Sequence, residues 1–221
     1  MLAENIARVE ERILQACARA GRKRAEVTLV AVTKKFPAEV IHEAYSLGLR
    51  EFGENYMQEF EAKAPLVAGL TGARFHFIGH LQANKTRKAT ELFQVVETVD
   101  SSRIARRLNE VGKTLDVYLE VKLSGEEAKA GAAPEELADL IEATRACEHL
   151  RLCGLMTMPP WSEDPEASRP YFDRLRKLAG QHKLTGLSMG MSNDFETAIE
   201  EGSTLIRVGT ALFGKRVATT T

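Results

Sequence analysis

The sequence has no excess of charge of either sign. Its 221 residues include 30 Lys and Arg against 31 Asp and Glu, which gives a formal net charge of −1. A dedicated nucleic-acid-binding protein normally has a marked basic excess, so we expect no nucleic-acid partner. Hydrophobic residues make up 44% of the chain and aromatic residues 6%. This composition is typical of an ordinary globular protein and excludes a disordered chain.

Cysteine is also scarce. The three cysteines, Cys17, Cys147 and Cys153, have no metal-ligand spacing, and any disulfide scheme leaves one of them unpaired. Reduced thiols in a cytoplasmic protein are the simplest interpretation. No apolar run approaches membrane-spanning length. The first segment, MLAENIARVEERIL, has acids where a targeting peptide needs bases and an apolar core. We therefore expect a cytoplasmic protein with no membrane partner.

Two hydrophobic periods alternate along the chain. A helical stripe near the N-terminus precedes the strand-like segment VTLVAVT, and strand-like and helical segments then alternate as far as STLIRVG. Each of the eight strand-like segments is followed by a helix or helical turn, an order that requires parallel pairing through crossovers. The pattern predicts a single α/β domain over 1–221, a (β/α)8 TIM barrel with an extra N-terminal helix. An open doubly wound sheet is the alternative, although no GxGxxG turn follows the first strand.

The first strand ends on two lysines, Lys34 and Lys35, in the segment VTLVAVTKKFP. Charged residues commonly mark only the point where a strand leaves the core. Alternatively, one lysine lies in the barrel mouth, where a desolvated amine is a nucleophile toward aldehydes. Neighbouring strand residues point to opposite faces, so at most one of the two lysines can have this role.

Polar groups also follow other strands. The second strand ends in FGENY, where Asn55 either caps the next helix or faces the mouth. The seventh strand leads into SMGMSND and the eighth ends in IRVGT, two places where many barrels bind phosphate through loop amides and a helix N-terminus. Ser192 would supply a hydroxyl there, and Gly209 and Thr210 would supply amides. Ordinary helix capping by Ser192 or Asp194 is the alternative.

Arg207 lies between two apolar residues of the last strand, Ile206 and Val208. If these pack against the helices, the guanidinium points into the barrel, where an unpaired charge is very costly. Its acceptor would be a ligand heteroatom or an interior carboxylate. A lysine, a phosphate cup and an inward arginine at one mouth suit an aldehyde that carries a phosphate, such as pyridoxal 5′-phosphate (PLP). A phosphorylated sugar would fit the same cup.

Five segments carry a resemblance to a known family: VAVTKKFP, FGENYMQE, FHFIGHLQANK, GLMTMPP and LSMGMSNDFETAIEEGSTLIRVGTALFG. They resemble the pyridoxal phosphate homeostasis protein family, from the first strand nearly to the last residue. The resemblance implies a single barrel similar to the N-terminal domain of alanine racemase. It also implies a PLP-binding protein of intracellular vitamin B6 homeostasis, one that carries or buffers the cofactor.

The resemblance further assigns the site. By it, Lys34 would hold PLP as a Schiff base, with Lys35 as a solvent-facing neighbour. Asn55 would lie beside the cofactor and Arg207 would face the pyridine nitrogen. The phosphate would be held by three residues: Ser192, Gly209 and Thr210. His80 receives no role.

The resemblance also leads to expectations about activity and partners. A charged guanidinium against the ring nitrogen weakens the ring as an electron sink, and we expect the chain to lack the second domain from which alanine racemase takes a tyrosine. The resemblance therefore favours a monomeric PLP carrier that supplies apo PLP-dependent enzymes, with no established catalytic residue. One alternative is a weak PLP-dependent amino-acid racemase. Another is an interaction protein that uses a basic cluster, although helical spacing of this kind more often marks a solvated face: Lys85, Arg87, Lys88, Arg103, Arg106 and Arg107.

Overall fold

Eight parallel strands close into a barrel in sequence order, and the last strand pairs with the first. The computed structural model describes residues 1–125 and 130–214. The strands are β1 (Thr28–Val32), β2 (Glu51–Glu54), β3 (Arg74–Phe77), β4 (Val95–Val99), β5 (Leu115–Glu120), β6 (Leu150–Met156), β7 (Gly186–Met191) and β8 (Leu205–Val208). The prediction of a (β/α)8 barrel is confirmed, and the closed strand order excludes the open sheet.

Helices connect the strands on the outside of the barrel. They are α1 (Leu2–Arg19), α2 (Ala38–Ser46), α3 (Met57–Val67), α4 (Thr86–Leu92), α5 (Ser102–Asn109), α6 (Leu137–Arg145), α7 (Arg169–Gln181), α8 (Phe195–Glu200) and α9 (Thr210–Phe213). The extra N-terminal helix, α1, packs against α8 and α9. The side-chain amide of Asn5 donates to the carbonyl oxygen of Leu212 at 2.7 Å, so α1 supports the helices that follow β7 and β8.

The two faces of the barrel wall differ in polarity. Outward side chains such as Leu29 and Ala31 of β1 belong to the apolar layer between strands and helices. Inward positions alternate with them, and several carry polar groups that are buried or half-buried in the barrel: Glu51, His76, Glu97, Asp116, Tyr118, Glu120, Ser188 and Arg207. Polar and charged side chains therefore occupy much of the barrel interior, where branched apolar side chains are usual.

Cys17 and Cys147 are buried and Cys153 is half-buried, and all three are free thiols, as predicted. Among the described residues, no helix is both long and apolar enough to cross a membrane.

Candidate functional site

The end of β1 separates its two lysines. Lys34 is half-buried and faces the barrel mouth. Lys35 is exposed and adopts a left-handed backbone conformation, with φ of 64°. Its backbone N–H donates to Glu59 Oε1 at 2.6 Å, and its ammonium lies 5.7 Å from the centre of the Tyr56 ring. The turn at Lys35 thus directs only Lys34 inward, in line with the strand alternation.

A cavity of about 250 Å³ opens at the mouth beside Lys34. We call it the lysine cavity. Its apolar walls include Val32, Ile78 and Met158. It brings together all six residues that the sequence singled out for the cofactor: Lys34, Asn55, Ser192, Arg207, Gly209 and Thr210. The residues come from the ends of β1, β2, β7 and β8, as expected for the carboxyl-terminal face of a barrel.

Asn55 lines the lysine cavity and does not cap a helix. Helix α3 begins at Met57, and the position before it is Tyr56, whose side chain makes no capping hydrogen bond. The backbone of Asn55 is held close to Gly79, where an added Cβ would lie 2.1 Å from the Asn55 carbonyl oxygen. Since no Cβ fits there, Gly79 allows the ends of β2 and β3 to approach each other.

The Ser192 hydroxyl links the loops that follow β7 and β8. It accepts the backbone N–H of Gly209 at 3.1 Å and that of Ala211 at 3.3 Å. Ser192 therefore contacts the start of α9 and not α8. The result is a corner of two amides and a hydroxyl beside the N-terminus of a short helix, which is suitable hydrogen-bonding chemistry for a phosphate.

The turn after β7 is fixed by Gly190 and Asp194. Gly190 has φ of +97°, and an added Cβ would lie 2.5 Å from the Cβ of Ala198. Asp194 is buried and accepts the backbone N–H of Met191 at 2.7 Å and the hydroxyl of Ser168 at 2.7 Å. These contacts hold the loop that presents Ser192, and Asp194 makes no capping bond to α8.

Arg207 points into the barrel, because Ile206 and Val208 pack in the outer apolar layer. Its guanidinium is 3% exposed. It donates to the carbonyl oxygen of Thr157 at 3.0 Å and to the Ser188 hydroxyl, and it lies 3.6 Å from Glu97 Oε2. The sequence left two acceptors open for Arg207, a ligand heteroatom and an interior carboxylate. The structure provides the carboxylate, which is Glu97.

A buried charge network continues from Arg207 down the barrel. Glu97 accepts the Ser188 hydroxyl at 2.5 Å and pairs with His76 Nδ1 at 2.6 Å, and His76 Nε2 pairs with Glu51 at 2.7 Å. Burial alone would lower the pKa of His76, but hydrogen bonds to the two carboxylates outweigh it and raise this pKa. Burial alone would raise the pKa of Glu97, and its pairing with His76 and the charge of Arg207 hold it below its usual range. The two carboxylates at hydrogen-bond distance from the ring nitrogens therefore favour the protonated form of His76.

Sequence reasoning missed this network, because it weighed only residues at strand ends. Glu97 stands in the apolar strand VVETV and His76 in FHF. A polar residue at an inward position of a buried strand is the signal that could have found both of them.

A second buried pair holds the segment that carries Lys34. Lys63 of α3 is 6% exposed. Its ammonium donates to the carbonyl oxygen of Thr33 at 3.0 Å and to Glu54 at 2.9 Å, and it pairs with Glu59 at 2.6 Å. Burial raises the pKa of Glu54 despite this pairing. The Lys63 ammonium thus contacts Thr33, which precedes Lys34, and Glu54, which precedes Asn55. It also pairs with Glu59, which accepts the backbone N–H of Lys35.

The remaining candidates lie away from the lysine cavity. His80 is exposed, and its ring lies 3.8 Å from Asp100. Arg103, Arg106 and Arg107 form an exposed face of α5, as the solvated-face interpretation predicts. No tyrosine lines the lysine cavity in the part of the chain that the structure describes.

Comparison with known proteins gives the family. Residues 5–217 match the model of the alanine racemase N-terminal domain. The pyridoxal phosphate homeostasis protein of Pseudomonas aeruginosa is 48% identical over 221 residues, covering 97% of this chain and 96% of that protein. The chain belongs to the pyridoxal phosphate homeostasis protein family. The family member from Aquifex aeolicus is 43% identical over 223 residues, covering 96% of this chain and 97% of its own.

Solved structures agree with this membership. PipY of Synechococcus elongatus PCC7942, in its PLP-bound structure, is 36% identical with a TM-score of 0.85, covering 97% of this chain and 100% of its own. Alanine racemase from Corynebacterium glutamicum has a TM-score of 0.70 at 19% identity, covering 99% of this chain and 63% of its own. The second likeness concerns the fold alone, and it confirms the predicted similarity of the family barrel to alanine racemase.

Proposed function

We propose that this protein binds PLP reversibly through Lys34 and holds it at the barrel mouth as a cytoplasmic carrier or buffer of the cofactor. The observation that carries the proposal is the lysine cavity itself, which brings an amine, an amide-and-hydroxyl corner and an inward guanidinium to one space. The PLP-bound structure of PipY, a relative at 36% identity over 97% of this chain, supports PLP as the ligand.

The residues present fit each part of the cofactor. PLP supplies an aldehyde that bonds covalently to a lysine amine and a ring that withdraws electrons. Lys34 offers the amine, and Val32 and Ile78 offer an apolar wall for a ring. The amides of Gly209 and Ala211, now bound by Ser192, suit the phosphate, and Thr210 begins the adjoining helix. Asn55 and Arg207 complete the polar lining.

Arg207 favours holding the cofactor over turnover. Arginine is always charged in proteins, and its contacts with Ser188, Thr157 and Glu97 keep it in place. A fixed cation facing a pyridine nitrogen disfavours protonation of that nitrogen and weakens the ring as an electron sink. Racemisation also needs an acid–base group opposite the lysine, and among the described residues no tyrosine lines the lysine cavity.

The proposed form of the protein is a monomer with one binding domain over 1–221. Apo PLP-dependent enzymes would be its recipients. Transfer would be measured as activity gained by an apo-enzyme when the loaded protein is added, compared with free PLP at the same concentration.

The test combines absorbance with chemical trapping. Purified protein is incubated with PLP, its visible spectrum is recorded, and the complex is reduced with borohydride and mapped by peptide mass spectrometry. We expect a visible band and an adduct on Lys34. Lys34→Ala should lose both, and the matched variant Lys35→Ala should keep both. An adduct spread over surface lysines, or an unchanged band in Lys34→Ala, refutes the proposal.

Protein loaded with PLP also tests the alternative that the chain is an amino-acid racemase. Amino-acid enantiomers are incubated with the loaded protein and separated by chiral chromatography. We expect no saturable racemisation that depends on Lys34. Saturable racemisation abolished in Lys34→Ala would make the protein an enzyme.

A further inference from the structure

A second cavity of about 300 Å³ opens at the same barrel mouth. We call it the Glu120 cavity. It shares Met158, Trp161 and Met191 with the lysine cavity, so the two spaces adjoin. Its volume is at the lower end of the range for small-molecule sites, roughly 300–1,000 Å³.

The walls of the Glu120 cavity are largely apolar. Leu123, Met158, Pro159 and Trp161 line one space together. Leu123 is 8% exposed, whereas Met158 is 37% and Trp161 76% exposed. The apolar surface thus runs from the interior to the rim, where a ligand can enter, and hydrocarbon placed against it would be removed from water.

Glu120 differs from the other polar side chains that line this cavity because it is buried. It is 4% exposed, it lines the space, and no described residue forms a hydrogen bond or ion pair with its carboxyl group. Buried carboxyl groups in proteins are nearly always paired, because leaving one unpaired is costly. The Glu120 oxygens are not among the enclosed atoms that lack a partner within residues 1–125 and 130–214, so the carboxyl group of this buried residue opens onto the cavity, where a ligand with a donor can reach it.

The surrounding charges favour a cationic donor. Burial raises the pKa of Glu120 to about 7, repulsion from Asp100 adds to this, and the charge of Arg207 opposes it. Two carboxyl groups therefore interact in this region, Glu120 at the end of β5 and Asp100 directly after β4. His80 also lines the cavity, with its side chain 61% exposed. The charge of Lys122, a further lining residue, opposes a ligand cation, so the contact with Glu120 has to outweigh it. A ligand cation at Glu120 would relieve both the burial cost and the repulsion.

We propose that the Glu120 cavity binds an organic ammonium ion, with its charged nitrogen on the Glu120 carboxylate and its hydrocarbon part against Leu123, Met158 and Trp161. The proposal concerns residues other than those assigned to PLP, and it does not depend on PLP binding. It adds to the barrel mouth a second ligand class, an amphiphilic amine, beside the phosphorylated aldehyde.

Trp161 provides the measurement, since it is the single tryptophan of the chain. The probe is N,N-dimethylhexylamine, which is protonated at neutral pH and, as a tertiary amine, cannot condense with an aldehyde. Titration is followed by Trp161 fluorescence and by calorimetry, with and without PLP. We expect saturable binding of the amine and at least tenfold weaker binding of hexanol and hexanoate, since a hydrogen bond to a charged group is worth about one power of ten or more.

Variants locate the charge contact. Glu120→Gln keeps the size of the side chain and should weaken the amine at least tenfold. The matched variant Glu163→Gln removes an exposed carboxylate two residues from Trp161 in sequence, at a position that does not line the Glu120 cavity, and should change affinity less than twofold. Ser124→Lys adds a cation at a half-buried lining position and should also weaken binding, which gives a second test if Glu120→Gln does not fold. Melting curves verify that each variant is folded.

The pH dependence separates the carboxylate from its neighbours. Affinity for the amine should rise severalfold from pH 6 to pH 8, because Glu120 loses its proton in this range. The part of this rise that disappears in Glu120→Gln is the part due to Glu120. Equal amine affinity in wild type and Glu120→Gln, or hexanol binding as tight as amine binding, overturns the proposal.

Discussion

Replacing Glu97 with glutamine tests whether the buried charge network stabilises the barrel. Glu97 is completely buried. Its carboxylate contacts His76 Nδ1 at 2.6 Å and the Ser188 hydroxyl at 2.5 Å, and it lies 3.6 Å from Arg207. Glutamine keeps the shape and the contact with Ser188 but removes the negative charge between two buried cations.

The expected loss of unfolding free energy follows from the contacts that remain after Glu97→Gln. Removing one partner of a buried ion pair costs about 3–5 kcal/mol. His76 keeps Glu51, which pairs with its Nε2 at 2.7 Å, so we expect a loss near the lower end, about 2–4 kcal/mol. For a chain of this size, this loss corresponds to a melting temperature lower by roughly 5–15 °C.

The pH dependence has a defined sign. The pKa of Glu97 is held below its ordinary value of 4.5, so its stabilisation is complete above that value and is lost as the pH falls through the lowered pKa. The pKa of His76 is raised above 6.5, so its stabilisation is complete below that value and is lost as the pH rises through the raised pKa. The difference between wild type and Glu97→Gln should therefore be largest between these two values and decrease at higher pH. It should not vanish, because Arg207 stays charged.

The assay is urea unfolding at several pH values, followed by circular dichroism. Glu10→Gln is the matched control, since Glu10 pairs with Arg24 at 2.7 Å in a half-exposed position, where an ion pair is worth less than about 1 kcal/mol. A loss below about 0.5 kcal/mol in Glu97→Gln, or a difference independent of pH, would refute the assignment of His76 as a buried cation.

Three further outcomes are expected. Lys63→Met should lower the unfolding free energy by about 3–5 kcal/mol in urea, because it leaves a buried carboxylate without its cation, and it should slow adduct formation on Lys34. Gly190→Ala should cost about 2 kcal/mol or more, since its φ is +97° and its Cβ would meet another at 2.5 Å, whereas Gly69→Ala, with open space around it, should not. Ser192→Ala should weaken PLP binding roughly fivefold to tenfold in an absorbance titration, with the melting temperature nearly unchanged.

The fold could be predicted from the chain because each strand and helix has its own hydrophobic period. β5, in LDVYLE, and α5, in SRIARRLN, are local patterns that need no partner to be recognised. Closure of the barrel is different. It depends on β8 lying beside β1, with Thr28 opposite Leu205 and Val30 opposite Arg207, and no local period encodes a pairing over that separation. The count of eight strand–helix units favoured the closed barrel over the open sheet, and the resemblance to a known family implied the same fold.

The site could be predicted only in part, for a similar reason. Strand alternation gave the inward direction of Arg207 and limited the inward role to one of Lys34 and Lys35, because direction within a strand is local. The resemblance to the family selected Lys34. The partners of Arg207 are not local. Ser188 comes from β7 and Glu97 from β4, and the two side chains meet at 2.5 Å across 91 residues of sequence. Which inward residues share a layer depends on the register of the whole barrel, and that register is not readable from any one strand.

The charge network bears on how a carrier can differ from an enzyme built on the same barrel. Arg207 has protein acceptors for its guanidinium, so the cation stands in place whether or not a ligand is present. A preorganised group costs less to order when a ligand binds, which favours capture of the cofactor. If Arg207 faces the ring nitrogen as proposed, the same fixed cation would oppose protonation of that nitrogen and so oppose carbanion chemistry. In the proposed function, one arginine, held by Glu97 and Ser188, would thus promote binding and disfavour reaction, and a carrier that releases its cofactor unchanged would need both effects.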